Sequence, residues 1–359
     1  MKVTLNRNVI EVNVNVEIIK QIGADEGLNS EVYLVRDRQL EEFMVLKKIS
    51  KKSLIGQSIS DFFIEAQMLN ECNHPNVMPI RYAGESNEYI SITMPFYSKG
   101  SLASVSGDKL LNVQKIIEYS LDFLNGLLFI HIKGLLHLDI KPTNIMLNDS
   151  DRGVITDFGL AKYLDYSGFA VQTRQYVRHR SPQTFETTER TVLDDIYQVG
   201  LTLYRLCNGD DNFHSQYQSL IDSGKDPKDF ISKAVFPNRK EYLPHIPKKL
   251  RSIINKSLEV DTAKRYQSML DLINEISKIE DFISWDIEVE VNKYTWSHVN
   301  GKMRYDVTLL IEEDQCHSTG FKINQETGNK TKFNKYNKTY TSKTEAFNEL
   351  TKLLSDIEM

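Results

Sequence analysis

Asp139, Lys141 and Asn144 stand together in His137-Leu138-Asp139-Ile140-Lys141-Pro142-Thr143-Asn144, and after twelve intervening residues comes Asp157-Phe158-Gly159. Moving a phosphoryl group from ATP to a hydroxyl needs a carboxylate to orient the hydroxyl and take its proton. It also needs oxygen ligands for magnesium and a cation to offset charge on the moving phosphate. A turn with an Asp, a Lys two residues on and an Asn five residues on supplies all three. Short apolar segments, 135–137 and 145–147, flank the turn. A strand-turn-strand of this length would return Asp157 to the same spot.

The elements that must position these residues fall into three stretches. In the first hundred residues, 14–22, 31–36, 43–49, 78–85 and 88–94 are β-branched and apolar runs between turn signals, read as strands. Residues 60–71 read as a helix, with Phe62, Phe63, Ala66 and Leu69 at helical spacing and Asp61 near the start. After Pro95 the pattern turns helical. Residues 113–132 form a long amphipathic stretch, 194–207 another, and helix-rich sequence continues to about residue 282. Near Ser284 the composition shifts again. Residues 285–291 and 303–312 alternate as half-buried strands, 317–324 offers a third, and 343–357 reads as a closing helix.

Composition sets the frame. Of 359 residues, 40% are hydrophobic and 26% charged, ordinary values for a chain able to bury a sizeable core. A net charge of −5 gives no global case for nucleic-acid or membrane binding. No apolar run is long enough to span a bilayer, and residues 1–15 lack the charged start and apolar block of a signal peptide. Cys72, Cys207 and Cys316 are far apart, which argues against a disulfide frame or a zinc site. The expectation is a cytoplasmic protein with no membrane partner.

The stretch 137–144 together with Asp157-Phe158-Gly159 resembles the catalytic loop and magnesium-binding motif of the protein kinase superfamily, and the resemblance extends over about 270 residues in the family's order. It implies that Asp139 is the catalytic base, that Lys141 contacts the transferred phosphate, and that Asn144 and Asp157 hold Mg2+, with Mn2+ as a substitute. The Lys-Pro-Thr-Asn form resembles serine/threonine rather than tyrosine kinases. Met44-Val45-Leu46-Lys47 resembles the family's third-strand lysine motif, so Lys47 would reach the α- and β-phosphates of ATP and Glu65 would pair with it. Lys48 would point to the opposite face of its strand.

The resemblance also implies an adenine pocket. Ile22 and Val32 would cover the base, with Val45 beside them and Met146 below. Met94 takes the gatekeeper position, and Pro95-Phe96-Tyr97 the hinge. Pro95 has no N–H, so the hinge donor would be Tyr97 or a neighbour. The glycine-rich loop departs from the family pattern. Counting back from Val32, Ser30, Gly27 and Asp25 occupy the three glycine positions. Gly23 serves only with altered spacing, and Asp25 and Glu26 add negative charge near the expected phosphates.

Further departures bear on regulation. Leu138 stands where many family members have an arginine that pairs with a phosphorylated activation segment. Activity is therefore not expected to depend strictly on one such phosphate, for example at Thr173. The segment ends in Ser181-Pro182-Gln183 rather than Ala-Pro-Glu, so Gln183 would make a neutral hydrogen bond to Arg265 in place of an ion pair. Asp195 resembles the buried aspartate that braces the catalytic loop; an N-cap is its other reading. Arg174, Arg178, His179 and Arg180 suggest acidic or phosphorylated substrates, or else a solvated basic face.

The implied fold is α+β: a two-lobed protein-kinase-like fold, β-rich over 14–95 and helical over 96–282. Residues 1–13 would form an N-terminal strand or extension, and 283–359 a small accessory α+β domain. The implied activity is transfer of the γ-phosphate of Mg-ATP to Ser/Thr hydroxyls of a protein substrate, with autophosphorylation among the expected reactions. One alternative is a pseudokinase or signalling scaffold, favoured by the poor glycine loop and opposed by the complete set Lys47, Glu65, Asp139, Lys141, Asn144 and Asp157. Another is a kinase-regulated binding protein acting through its tail. There Lys330, Lys332, Lys335, Lys338 and Lys343 interleave with Phe333, Tyr336 and Tyr340. Weak nucleic-acid binding through these residues, or a lysine-rich strand edge that discourages aggregation, are the two readings of that pattern.

Overall fold

The computed structural model describes residues 15–22, 30–53 and 73–356. It divides into two compact units: Met1–Asn73 with Met78–Phe96, and His74–Val77 with Tyr97–Met359. Each is described by itself.

The first unit is an antiparallel sheet ordered β1-β2-β3-β5-β4, with β1 Val16–Ile22, β2 Ser30–Asp37, β3 Phe43–Ser50, β4 Tyr82–Glu85 and β5 Tyr89–Pro95. Directly opposed residues share a face, so the register separates two sets of side chains. Ile22 opposes Val32, Val32 opposes Lys47, Leu34 opposes Val45, and Val45 opposes Met94. On the other face Val35, Met44 and Leu46 form a core with Val16, Tyr33 and Tyr82. Lys48 lies away from Lys47, as alternation requires, with Nζ 4.0 Å from the centre of the Tyr89 ring. The expected strand 78–85 begins only at Tyr82. Pro79 in its first half has no N–H for a ladder.

The second unit is built on two long helices. Val113–Ile132 starts at Asn112, whose side chain accepts from Lys115 N–H. Its Gly126 is a point of close approach: a Cβ there would lie 2.4 Å from Asn76 O. This contact lets residues 74–77 join the second unit, where Asn76 Nδ2 donates to Gly153 O at 2.8 Å. The helix Val192–Asn208 starts with a capping box of Thr191 and Asp194. It is buried over most of its length, yet it carries Asp195, Gln198, Thr202 and Arg205, spaced three, four and three residues apart along one face.

The tail folds as an antiparallel sheet of the strands Asp286–Glu290, Lys293–Asn300, Met303–Ile311, Cys316–Asn324 and Lys330–Lys332, with Lys338–Tyr340 also paired to Cys316–Asn324 and a helix over Lys343–Leu354. Three expected strands and the closing helix are present. The strand Lys293–Asn300 was not expected. It joins two hairpins, one turning at residues 291–292 and one at Gly301-Lys302. The tail is anchored by tryptophans. Trp285 Nε1 donates to Leu354 O at 3.0 Å, and Trp296 Nε1 donates to His245 Nδ1 at 3.2 Å. Asn112 Nδ2 donates to Asp286 Oδ1 at 2.9 Å. Tyr336 and Tyr340 are buried, so they are tail core rather than a stacking surface, while Lys330 and Lys332 line a short exposed strand.

Candidate active site

The turn 137–144 is held almost entirely by side chains of the helix Val192–Asn208. Asp195, fully buried, accepts from His137 N–H at 2.9 Å and Leu138 N–H at 2.7 Å, and its Oδ2 lies 2.8 Å from His131 Nε2. Burial opposes its ionisation, but the His131 bond and the two amides hold its carboxyl below the usual range. Gln198 accepts from Ile140 N–H and donates to Leu138 O, both at 2.9 Å. Thr202 Oγ1 donates to Ile140 O at 3.3 Å. Arg205 donates through Nη1 to His179 Nε2 at 2.8 Å, and His179 Nδ1 donates to Ile140 O at 2.9 Å. Successive positions of one helix face thus fix the backbone of one turn.

That bracing supports a strained conformation. Leu138 has φ +64° and Asp157 has φ +64°. Left-handed backbone at a non-glycine residue costs on the order of 1–3 kcal/mol and persists where the surroundings over-determine it. Leu138 is held through both its N–H and its C=O, and its side chain sits in an apolar cluster with Leu136, Ala170, Leu160 and Leu164. The Asp195 expectation is met in its bracing form. The N-cap belongs to Thr191.

Asp139, Lys141 and Asn144 come together directly. Lys141 Nζ is 2.9 Å from Asp139 Oδ2. Asn144 Nδ2 donates to Asp139 O at 2.9 Å and to Asp139 Oδ2 at 2.8 Å. Asp139 Oδ1 is buried and has no hydrogen-bond partner among the described residues. Burial raises the Asp139 pKa, Lys141 opposes that, and the Asp157 charge adds to it. Asp157 is tied to the turn through its neighbour: Thr156 N–H donates to Asn144 O at 3.0 Å, and His137 Nε2 donates to Thr156 O at 3.1 Å. The strands β6 Ile145–Leu147 and β7 Gly153–Ile155 pair antiparallel between them, which is the expected strand-turn-strand return.

The oxygen donors suit a hard divalent cation. Both Asn144 Nδ2 hydrogens are used on Asp139, and Asn144 Oδ1, which accepts from Thr143 Oγ1 at 3.4 Å, keeps a second lone pair that could face an ion. Among the described residues no group of three or more His, Cys, Asp or Glu could hold a metal by itself. Asn144 and Asp157 are the residues whose oxygens could contribute to holding such an ion.

The residues expected to contact the nucleotide are found in both units. Ile22, Val32, Val45, Lys47 and Met94 share one face of the first sheet, and Phe96 follows β5 in the same unit. Tyr97 and Met146 belong to the second unit. Tyr97 O accepts from Gly100 N–H at 3.1 Å, and Met146 is half-buried in the strand Ile145–Leu147. Ser30 opens β2. Gly23, Gly27 and Glu65 lie outside the described residues, as do Asp25, Glu26 and the expected helix 60–71.

Two other expectations meet the structure. Gln183 accepts from Arg265 Nη2 at 2.7 Å and donates to Val260 O at 2.9 Å, a neutral link as expected. His179 does not belong to an exposed basic cluster, because it is fully buried against the turn. Sequence reasoning missed Gln198, Thr202, Arg205 and His131. For Gln198, Thr202 and Arg205 the signal was available: polar residues on the buried face of an apolar helix, in step with Asp195.

A family model for the protein kinase domain matches residues 16–276. The chain is similar to a probable serine/threonine-protein kinase of Clostridium perfringens, 27% identical over 74% of this chain and 38% of that protein. It is also similar to the probable serine/threonine-protein kinase PknB of Lactococcus lactis, 26% identical over 72% of this chain and 41% of the relative. The serine/threonine-protein kinase PknD of Protochlamydia amoebophila is 28% identical over 72% of this chain and 29% of its own length. The match therefore covers less than half of each relative. Among the described residues no helix is long and apolar enough to cross a membrane.

Proposed function

The chain belongs to the protein kinase domain family, and from that premise we propose that it transfers the γ-phosphoryl group of ATP to serine or threonine hydroxyls of a protein substrate, itself included. One observation carries the reading: Asp139 is clamped through Oδ2 by Lys141 and Asn144, while its buried Oδ1 has no donor among the described residues. A substrate hydroxyl would be that donor. Asp139 orients the hydroxyl and takes its proton as the oxygen attacks. Lys141 keeps its cation beside the transfer path. Lys47 positions the nucleotide phosphates from the first sheet, with Glu65 as its proposed partner, and Ile22, Val32, Val45 and Met94 supply the apolar face for the base. Asn144 and Asp157 would hold Mg2+, or Mn2+ in its place. When bound, that ion neutralises phosphate charge.

We also propose residues 14–282 as the catalytic domain and 283–359 as an accessory domain. The family match ending at residue 276 supports this boundary. Cys207 and Cys316, free and buried, support a reducing, cytoplasmic setting. The test is incubation of the purified chain with γ-labelled ATP and Mg2+, followed by mapping of phosphorylated residues by mass spectrometry. Label on serine or threonine is expected; label on tyrosine alone, or none, contradicts the proposal.

A further inference from the structure

Beside the catalytic turn stands a run of positive charge that no carboxylate answers. Residues 173–183 contain Arg174, Arg178 and Arg180 and no acidic residue. Lys141 Nζ lies 4.7 Å from the centre of the Tyr176 ring, so this segment passes next to the Asp139–Lys141 pair. His179 pins it to the turn through Ile140 O. Arg178 and Arg180 flank that pin, one residue to each side.

The surroundings of these arginines are aromatic and neutral. The Arg178 guanidinium sits over the Tyr217 ring at 5.4 Å, and that of Arg180 over Phe185 at 5.8 Å. Arg178 Nη1 donates to His214 Nδ1 at 2.8 Å. His214 accepts without offsetting charge, because burial first, and then the Arg205 and Arg178 guanidinium groups, push its pKa down and keep it neutral. Arg174 is exposed. Asp210 and Asp226, whose charges reach the His214 and Tyr217 rings beside Arg178, are engaged elsewhere. Asp210 forms a two-bond pair with Arg205 at 2.7 and 2.8 Å, and Asp226 caps the helix Pro227–Ser232. Asp211 and Glu186 are exposed, and among the described residues no ion pair joins any carboxylate to Arg174, Arg178 or Arg180. A guanidinium with an aromatic support and no counter-ion is ready for a charge-assisted, two-bond contact with a carboxylate or phosphate.

We infer that the acceptor side of this site selects protein substrates that carry an anionic side chain, a carboxylate or a phosphate, within a few residues of the serine or threonine to be modified. The inference rests on the kinase reading above and names its substrate class. Arg178 and Arg180 are the specificity-determining residues, and Arg174 adds to the field that draws the anion in.

The test uses the full chain and peptides that differ only beside one serine, where they carry Glu, phosphoserine, Ala or Lys. The expected kcat/KM is about tenfold higher with Glu or phosphoserine than with Ala, with Lys the poorest. The advantage should shrink at high salt. A phosphoserine arm well above the Glu arm would identify phosphate as the preferred anion. The double variant Arg178→Glu with Arg180→Glu should reverse the order and make the Lys peptide the best substrate, which also shows that the variant is folded. Equal kcat/KM across the four peptides overturns the inference and leaves the kinase reading standing. So does an acidic preference that survives the charge reversal. Label in none of the peptides overturns it as well, and self-labelling of the chain then tells whether the kinase reading falls with it.

Discussion

The turn 137–144 and the tail are fixed by opposite means. Residues 137–144 are held by polar groups buried inside a helix: Asp195, Gln198, Thr202 and Arg205 reach the turn directly or through His179. The tail is fixed by apolar bulk, with Trp285, Trp296 and Tyr336 fully buried and a few single hydrogen bonds orienting them. Apolar packing supplies stability with little directional demand. Hydrogen-bonded networks supply direction and penalise any missing member. A site that must hold Leu138 and Asp157 in left-handed backbone needs the second kind.

The comparison predicts how each region breaks. Asp195→Ala should have the largest effect, because two amides and His131 lose their acceptor inside the protein. A loss of roughly 3–5 kcal/mol is expected, read as a shifted denaturant midpoint. A loss below 1 kcal/mol would mean the turn is braced elsewhere. Trp296→Phe in the tail should cost about 2–3 kcal/mol, from lost volume and an unanswered His245 Nδ1. The cost should appear in thermal unfolding, and phosphotransfer well below the melting point should be spared.

His245 sharpens the contrast through pH. Burial lowers its pKa from 6.5 to about 3, and protonation would place a hydrogen on the nitrogen that accepts from Trp296. A histidine whose folded pKa is depressed contributes fully above its unfolded value and loses that contribution as pH falls. Stability should decline below about pH 6.5 by up to about 1.4 kcal/mol per pH unit until pH approaches 3. Unfolding midpoints of the protein and of His245→Gln, compared across this window, check the slope; parallel curves would remove His245 as the cause. The smallest effect is a gain. Gln183→Glu turns the neutral link to Arg265 into an ion pair, expected to add about 1 kcal/mol in the same denaturation assay.

Much of the catalytic turn was legible in sequence because its chemistry depends on residue type at close spacing. Asp139, Lys141 and Asn144 announce themselves within six residues; alternation put Lys47 and Lys48 on opposite faces, and the resemblance of Met44-Val45-Leu46-Lys47 to the family's strand motif selected Lys47. The bracing residues were harder to read. Gln198 and Thr202 have no chemistry of their own, and only a helical projection shows them in line with Asp195. The strand Lys293–Asn300 was missed for a different reason. Its polar face of Lys293, Thr295 and Ser297 dilutes the apolar alternation, although Asn300-Gly301 marked the hairpin that follows. The lysine-aromatic pattern of the tail left two readings open, because spacing alone does not tell a core tyrosine such as Tyr336 from an exposed one.

The account depends most on Asp139 Oδ1 as the atom that receives the hydroxyl proton. The direct measurement is the rate of γ-phosphate transfer by Asp139→Asn beside the unaltered chain, with thermal unfolding of both. Asparagine keeps the shape and the contact to Lys141 but removes the basic oxygen. The account predicts a fall of about 10²–10⁴-fold in rate with an unfolding temperature no lower than that of the unaltered chain. Transfer at the unaltered rate in a folded Asp139→Asn protein would contradict it.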